Sequence, residues 1–125
     1  MTGAARFPAT AAAAIGTSPM LSIRAGSRHR YIRIWAVVAE GRVFVRSWSL
    51  KPRSWYRTFL AEPTGSIRLD GRAIAVRAVR TRSARLLRAV DRAYLRKYAS
   101  PGAARYARDL CRPISRQTTI ELVPR

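Results

Sequence analysis

Tyr31-Ile32-Arg33-Ile34-Trp35-Ala36-Val37-Val38-Ala39-Glu40-Gly41-Arg42-Val43-Phe44-Val45-Arg46-Ser47-Trp48 reads as two β-strands joined by a tight turn. β-Branched and aromatic residues fill both arms, and Glu40-Gly41 supplies the residues that tolerate the positive φ of a two-residue hairpin loop. That loop fixes a register: Ala39 opposite Arg42, Val38 opposite Val43, Ala36 opposite Val45. One face then carries Ile34, Ala36, Val38, Val43 and Val45 and is the expected core face. The other pairs Val37 with Phe44, Trp35 with Arg46 and Arg33 with Trp48, an alternation of indole and guanidinium that suits cation–π contact.

Beyond this hairpin, Pro52 stands where a first helical turn tolerates proline, and residues 54–62 follow as a short helix with Trp55/Phe59 and Tyr56/Leu60 at i,i+4 spacing. Pro63 and Gly65 end it. Asp70-Gly71 turns a second hairpin over residues 66–79, with Ile67 opposite Ile74. Ser83 is a candidate N-cap for a helix over 84–98, whose expected apolar face is Leu87, Val90, Tyr94 and Tyr98. Arg85, Arg88, Arg92 and Arg96 form a basic stripe on the same helix. A further helix over 103–110 and a closing strand over 118–123 give the order β-β-α-β-β-α-(α)-β. Consecutive hairpins with an apolar face, and a last strand able to close the sheet, predict a mainly β, α+β domain: a small antiparallel split barrel.

The 125 residues allow one domain, enough to bury somewhat more than roughly 60% of the surface of the unfolded chain. Residues 1–21, rich in Ala, Thr and Pro, read as a disordered leader, and 22–125 as the single barrel domain. The apolar run at 11–15 is too short for a signal peptide or a membrane span. Cys111 is the single cysteine, so neither a disulfide nor a thiolate metal cluster forms within one chain, and a cytoplasmic setting is expected. Its bland reading is a small apolar residue in a helix. The net charge is +19, and of 25 basic residues only Lys51 and Lys97 are lysines. Such a field favours nucleic acid or phosphorylated small molecules, although arginine spread through an alanine-rich chain is also what GC-rich coding produces.

Four stretches carry a resemblance: Ile34-Trp35 through Val43-Phe44-Val45-Arg46-Ser47; Ser54-Trp55-Tyr56-Arg57; Asp91-Arg92-Ala93-Tyr94 with Lys97-Tyr98; and Thr118-Thr119-Ile120-Glu121-Leu122-Val123-Pro124. Together they resemble the bacterial domain-of-unknown-function family 2255, related to the flavin- and deazaflavin-binding split barrels. Ser22 to Arg30, including Arg28, is similar to the segment that opens deazaflavin-dependent nitroreductases, as are Trp55-Tyr56 and the following Gly71-Arg72-Ala73. Arg57-Thr58 stands where those proteins carry Asn-Leu.

The resemblance implies a small oxidoreductase holding FMN or a deazaflavin at a barrel edge, between the subunits of a homodimer. Arg46, Ser47, Lys51 and Arg53 combine guanidinium forks, a hydroxyl and an ammonium suited to phosphate, and are otherwise solvated rim charges. Trp55 and Tyr56 either flank a tricyclic ring or anchor their helix on the sheet. His29, the lone histidine, cannot build a zinc site, and no metal ligands are expected. No pair of carboxylates, nucleophile elbow or phosphate loop stands out, so no catalytic residue is assigned. Two other readings remain: a nucleic-acid-binding module using the arginine stripe, and a cofactor-free barrel without catalysis.

Overall fold

The computed structural model describes residues 6–125. The hairpin at the centre of the sequence forms in the expected register: β3 (Ala36–Ala39) and β4 (Arg42–Val45) pair Ala39 with Arg42, Val38 with Val43 and Ala36 with Val45. Glu40 and Gly41 both take positive φ, 54° and 72°, the backbone that a two-residue loop matched to the strand twist requires. Asp70 and Gly71 repeat the device between β5 (Thr64–Leu69) and β6 (Arg72–Arg80), where Ile67 faces Ile74 as expected.

The long first arm of the hairpin is not one strand. It breaks at Trp35 into β2 (Ile32–Ile34), which pairs with β1 (Leu21–Ala25), and β3, which pairs with β4. With β7 (Ile120–Pro124) the seven strands run in the order β2-β1-β5-β6-β7-β4-β3, every neighbour antiparallel. The two edges of the sheet are therefore consecutive in the chain and meet at Trp35. A sheet whose edges share one residue has to curl, and the result is the expected α+β architecture, a nearly closed antiparallel barrel.

Its interior is lined by Ile23, Ala25, Ile34, Ala36, Val43, Val45, Ile67, Val76, Ile120 and Leu122. Helix α2 (Trp55–Ala61), N-capped by Ser54, adds Trp55, Tyr56 and Phe59 to that core. Gly65 lets α2 seat closely: a Cβ there would lie 2.2 Å from the Arg24 carbonyl oxygen and 2.9 Å from the Phe59 ring.

Three expectations need correction. Residues 6–20 are not a disordered leader: α1 (Ala9–Thr17) is helical, and Phe7, Ala12 and Ile15 are buried in the barrel core, because the core needs their apolar surface to close it. Residues 1–5 lie outside the described part. Second, both faces of β3–β4 are buried. Val37 and Phe44 pack under α3 (Ala84–Lys97) and α4 (Ala104–Asp109) in a second core with Leu86, Val90, Tyr94, Tyr98, Ala107 and Leu110. The face of α3 turns accordingly onto Leu86, Val90 and Tyr94, with Leu87 only half-buried. Third, Arg46 does not face Trp35, since the ladder ends at Val45. The short α5 (Pro113–Arg116) leads into β7.

Candidate functional site

Arg46 leaves β4 pointing under α3 and is 1% exposed. Its Nε donates to Thr119 Oγ1 at 2.8 Å, Nη1 to Asp91 Oδ1 at 2.5 Å and the Leu110 carbonyl at 3.0 Å, and Nη2 to the Leu87 carbonyl at 3.0 Å. A guanidinium fork in this setting ties β4, α3, α4 and β7 together. It satisfies carbonyls at the ends of helical turns and has a carboxylate for its charge. Asp91 also faces Arg116 Nε at 3.2 Å. The donors of Arg46 are thus spent inside the protein, so Arg46 cannot serve as the phosphate ligand that its position at a strand end suggests.

The rest of the Asp91-to-Tyr98 segment does similar work. Tyr94 Oη donates to the Trp35 carbonyl at 2.7 Å and accepts from the Arg46 backbone N–H, fixing the corner where the barrel edges meet. Burial pushes the Tyr94 phenol well above its ordinary range. Tyr98 stacks on Trp35 at 3.8 Å between ring centroids and donates to the Pro19 carbonyl. Lys97 Nζ donates to the carbonyls of Ile15 and Ala36, at 3.1 and 2.6 Å, and partial burial lowers its pKa to about 8. These residues clamp α1 and the barrel corner to α3. In the sequence they look chemical because clamps and active sites use the same donors and acceptors.

Most of the other expected site residues also turn inward or separate. Ser47 is buried, its N–H donating to Thr118 Oγ1 and its hydroxyl to the Ser49 carbonyl. Trp55 and Tyr56 are buried in the barrel core, with Trp55 edge-on to Phe59, so neither offers a ring face to a ligand. Arg28, Lys51 and Arg53 are exposed. Arg42, read only as a turn neighbour, makes a bidentate pair with the buried Glu121, at 3.0 and 2.6 Å. His29 Nδ1 lies 2.8 Å from the Arg30 carbonyl. Burial and the nearby Asp91 push the Cys111 thiol up, which keeps it protonated and unreactive. Among the described residues no group of acidic, histidine and cysteine side chains could hold a metal.

Two open surfaces combine aromatic and charged groups. In the first, Trp48 is 47% exposed, edge-on to Trp35 at 5.5 Å, and forms one wall of a groove of about 440 Å³ with Asp109, Arg112, Pro113, Ile114 and Ser115. Ile114 is 60% exposed there. The volume suits a small ligand, and the mixture of an indole, apolar walls and one or two charges is typical of such sites. Lys51 and Arg53 leave the same loop three and five residues after Trp48.

The second is the outer face of β2, β1 and β5, which no helix of the second core covers. Alternation places Tyr31, Arg33, Ser22, Arg24, Ser66 and Arg68 on it. The guanidinium of Arg68 lies 3.9 Å from the centroid of the Tyr31 ring, and that of Arg24 lies 5.3 Å from it. The Tyr31 and Ser66 hydroxyls are hydrogen-bonded at 2.5 Å. In the sequence, Ser22 and Arg24 enter only within the Ser22–Arg30 segment, and Arg33 only through its pairing with Trp48. The repeated Ser-x-Arg of Ser22–Arg24 and Ser66–Arg68 was the available signal. It becomes legible only once residues 21–25 are recognised as a strand.

A barrel closed at Trp35, with a helical layer clamped over one side, is the class of protein these features define. The chain belongs to the family described as "Uncharacterized protein conserved in bacteria (DUF2255)", whose profile matches residues 14–122. This is the family that the Trp55-Tyr56-Arg57 and Asp91-to-Tyr98 motifs resemble. Among solved structures the chain is similar to the crystal structure of the conserved hypothetical protein Rv2991 from Mycobacterium tuberculosis. The TM-score is 0.56 at 12% identity over 98% of this chain and 81% of that one, a likeness of fold. No curated protein matches the chain. Among the described residues no helix is long and apolar enough to cross a membrane.

Proposed function

We propose that this barrel binds a phosphorylated planar cofactor of the flavin or deazaflavin type and works as a small oxidoreductase when loaded. The observation that carries the reading is the Trp48 groove. An exposed indole, held edge-on by Trp35, faces Ile114 and Pro113 across a space of ligand size, with Lys51 and Arg53 in the same loop. An indole face and an aliphatic wall suit a flat ring system, and exposed cations suit its phosphate. The family resemblance read from the sequence supports the same class of ligand. Of the residues first considered, Lys51 and Arg53 fit this role, and Arg28 is exposed on another loop. Arg46 and Ser47 instead tie the end of β4 to Leu110 and Thr118, on either side of the groove's 109–115 wall, and Trp55 and Tyr56 anchor α2 in the barrel core. The cofactor would supply the hydride, while the chain's own residues bind it, orient it and shield one ring face.

A visible spectrum of the purified protein, followed by titration with FMN and with a deazaflavin, tests this directly. Binding of one of them should quench Trp48 emission, and Trp48→Ala should weaken it at least tenfold, about 1.4 kcal/mol. If neither cofactor binds, or if Trp48→Ala binds as well as wild type, the reading is wrong.

A further inference from the structure

We propose that the outer face of β1, β2 and β5 holds a compact phosphate-binding site built from Arg24, Arg33 and Arg68 with the hydroxyls of Ser22 and Ser66. It shares no residue with the Trp48 groove and stands or falls independently of the cofactor reading. Ser22 faces Arg33 on one side and Arg68 on the other, and Arg24 faces Ser66. Arg24 and Arg68 are thus diagonal neighbours, about 7–8 Å apart at their Cα atoms. Both guanidinium groups converge on the ring of Tyr31, whose hydroxyl is held by Ser66.

Three like charges gathered on adjacent strands repel one another. Carboxylates neutralise some arginines of this chain: Glu121 for Arg42, Asp91 for Arg46 and Arg116, Glu40 for Arg85, Asp109 for Arg112. Among the described residues none pairs with Arg24, Arg33 or Arg68. The Nε of Arg24 is moreover buried with no hydrogen-bond partner, a state that costs free energy unless a ligand supplies an acceptor. Tyr31 offers the arginines its ring but brings no negative charge. The missing component is a multivalent oxyanion. A phosphoryl or diphosphoryl group fits, because guanidinium forks bind its oxygens in pairs and serine hydroxyls complete the shell. The convergence on one tyrosine, and the partial burial of Arg24, favour a compact group over a polymer tracked along the surface.

Calorimetric titration with inorganic pyrophosphate, and in parallel with ADP, tests the site. Tighter binding of ADP would mean that the phosphates belong to a nucleotide, and tighter or equal binding of pyrophosphate that the phosphates alone are read. Either result supports the site provided that Arg24→Gln/Arg68→Gln lowers affinity at least tenfold. Arg68→Gln alone, at an exposed position, should lower it severalfold and keeps the test valid if the double variant folds poorly. Arg88→Gln/Arg92→Gln removes the same charge from the exposed face of α3, outside both proposed sites, and should leave the affinity within twofold of wild type. Equal losses in the two double variants would mean that net charge alone attracts the anion, and the site would be abandoned. The same holds if wild type binds neither probe at low salt. A single-stranded oligonucleotide that binds more tightly than ADP, and that pyrophosphate does not displace, would also overturn the compact site.

Discussion

The two sides of the barrel use arginine in opposite ways. On the side covered by α3, α4 and α5, Arg46 is buried and hydrogen-bonded to a threonine, a carboxylate and two carbonyls. On the bare side, Arg24 and Arg68 lie against the ring of Tyr31 and Arg33 stands opposite Ser22 on the neighbouring strand, with no carboxylate paired to any of them. The 25 basic residues are therefore not one population. Part of their charge is mortar between elements, neutralised within the fold. Part is unpaired and available to anions, and only the second part bears on binding.

The largest expected effect lies on the covered side. Arg46→Met leaves Asp91 with Arg116 alone and takes a donor from Thr119 and the carbonyls of Leu87 and Leu110, so urea unfolding should show a loss of about 3–5 kcal/mol. Arg46→Lys keeps the charge but not the fork, and should recover only part of that loss. A variant with near wild-type stability would mean that the covered side does not depend on its buried arginine.

Lys97 comes next. Lys97→Met removes the ammonium that holds the carbonyls of Ile15 and Ala36, at a cost of about 1 kcal/mol, and should loosen α1. Its pKa is lowered to about 8 in the fold against 10.5 as the ordinary value, so between these values the unfolded chain binds more protons. Stability contributed by Lys97 therefore rises with pH across that window. The neutral amine still has hydrogens for both carbonyls. The gap in melting temperature between wild type and Lys97→Met should widen from pH 7 to pH 10, and a gap that narrows would contradict the burial of this group. The upper limit keeps clear of Tyr94 and Tyr98, whose phenols burial pushes up and whose own contribution declines at higher pH.

The smallest effect is expected on the bare side. Arg24→Gln/Arg68→Gln gives up cation–π contact with Tyr31 but relieves repulsion between like charges, and the net change should stay within about 0.5 kcal/mol. Thermal melts at low and high salt check this. A large loss would show that these arginines are structural after all, which would bring the two sides of the barrel closer in kind.

Much of the fold was legible because it rests on local rules. Glu40-Gly41 and Asp70-Gly71 announced their turns, and a two-residue loop leaves a single register, so Val38 opposite Val43 and Ile67 opposite Ile74 followed. Ser83 caps the helix it was expected to cap, while Ser54, read as the first residue of its helix, is the N-cap of α2. The strand β1 was hidden because the Gly26-Ser27-Arg28 that follows it resembles a loop, and α1 because an alanine-rich run carries little amphipathic signal. The burial of Val37 and Phe44 had a signal: uninterrupted Ala36-Val37-Val38 and Val43-Phe44-Val45 suit a strand covered on both faces.

The candidate site was less legible, for a physical reason. Whether a polar side chain binds a ligand or braces the fold depends on what stands opposite it, and for Arg46, Ser47, Trp55 and Tyr56 the partners come from elements far away in the chain. Thr119 and Thr118 of the segment before β7, Asp91 of α3 and the Leu110 carbonyl after α4 decided the roles of Arg46 and Ser47. Turn type, register, caps and the amphipathic stretches are short-range properties, carried by residues within a few positions of one another, and the sequence determines them alone. Which face is covered, which charges are neutralised and which indole stays open to solvent depend on long-range packing. Those were settled only when the sheet curled to meet itself at Trp35 and α3 closed over one side.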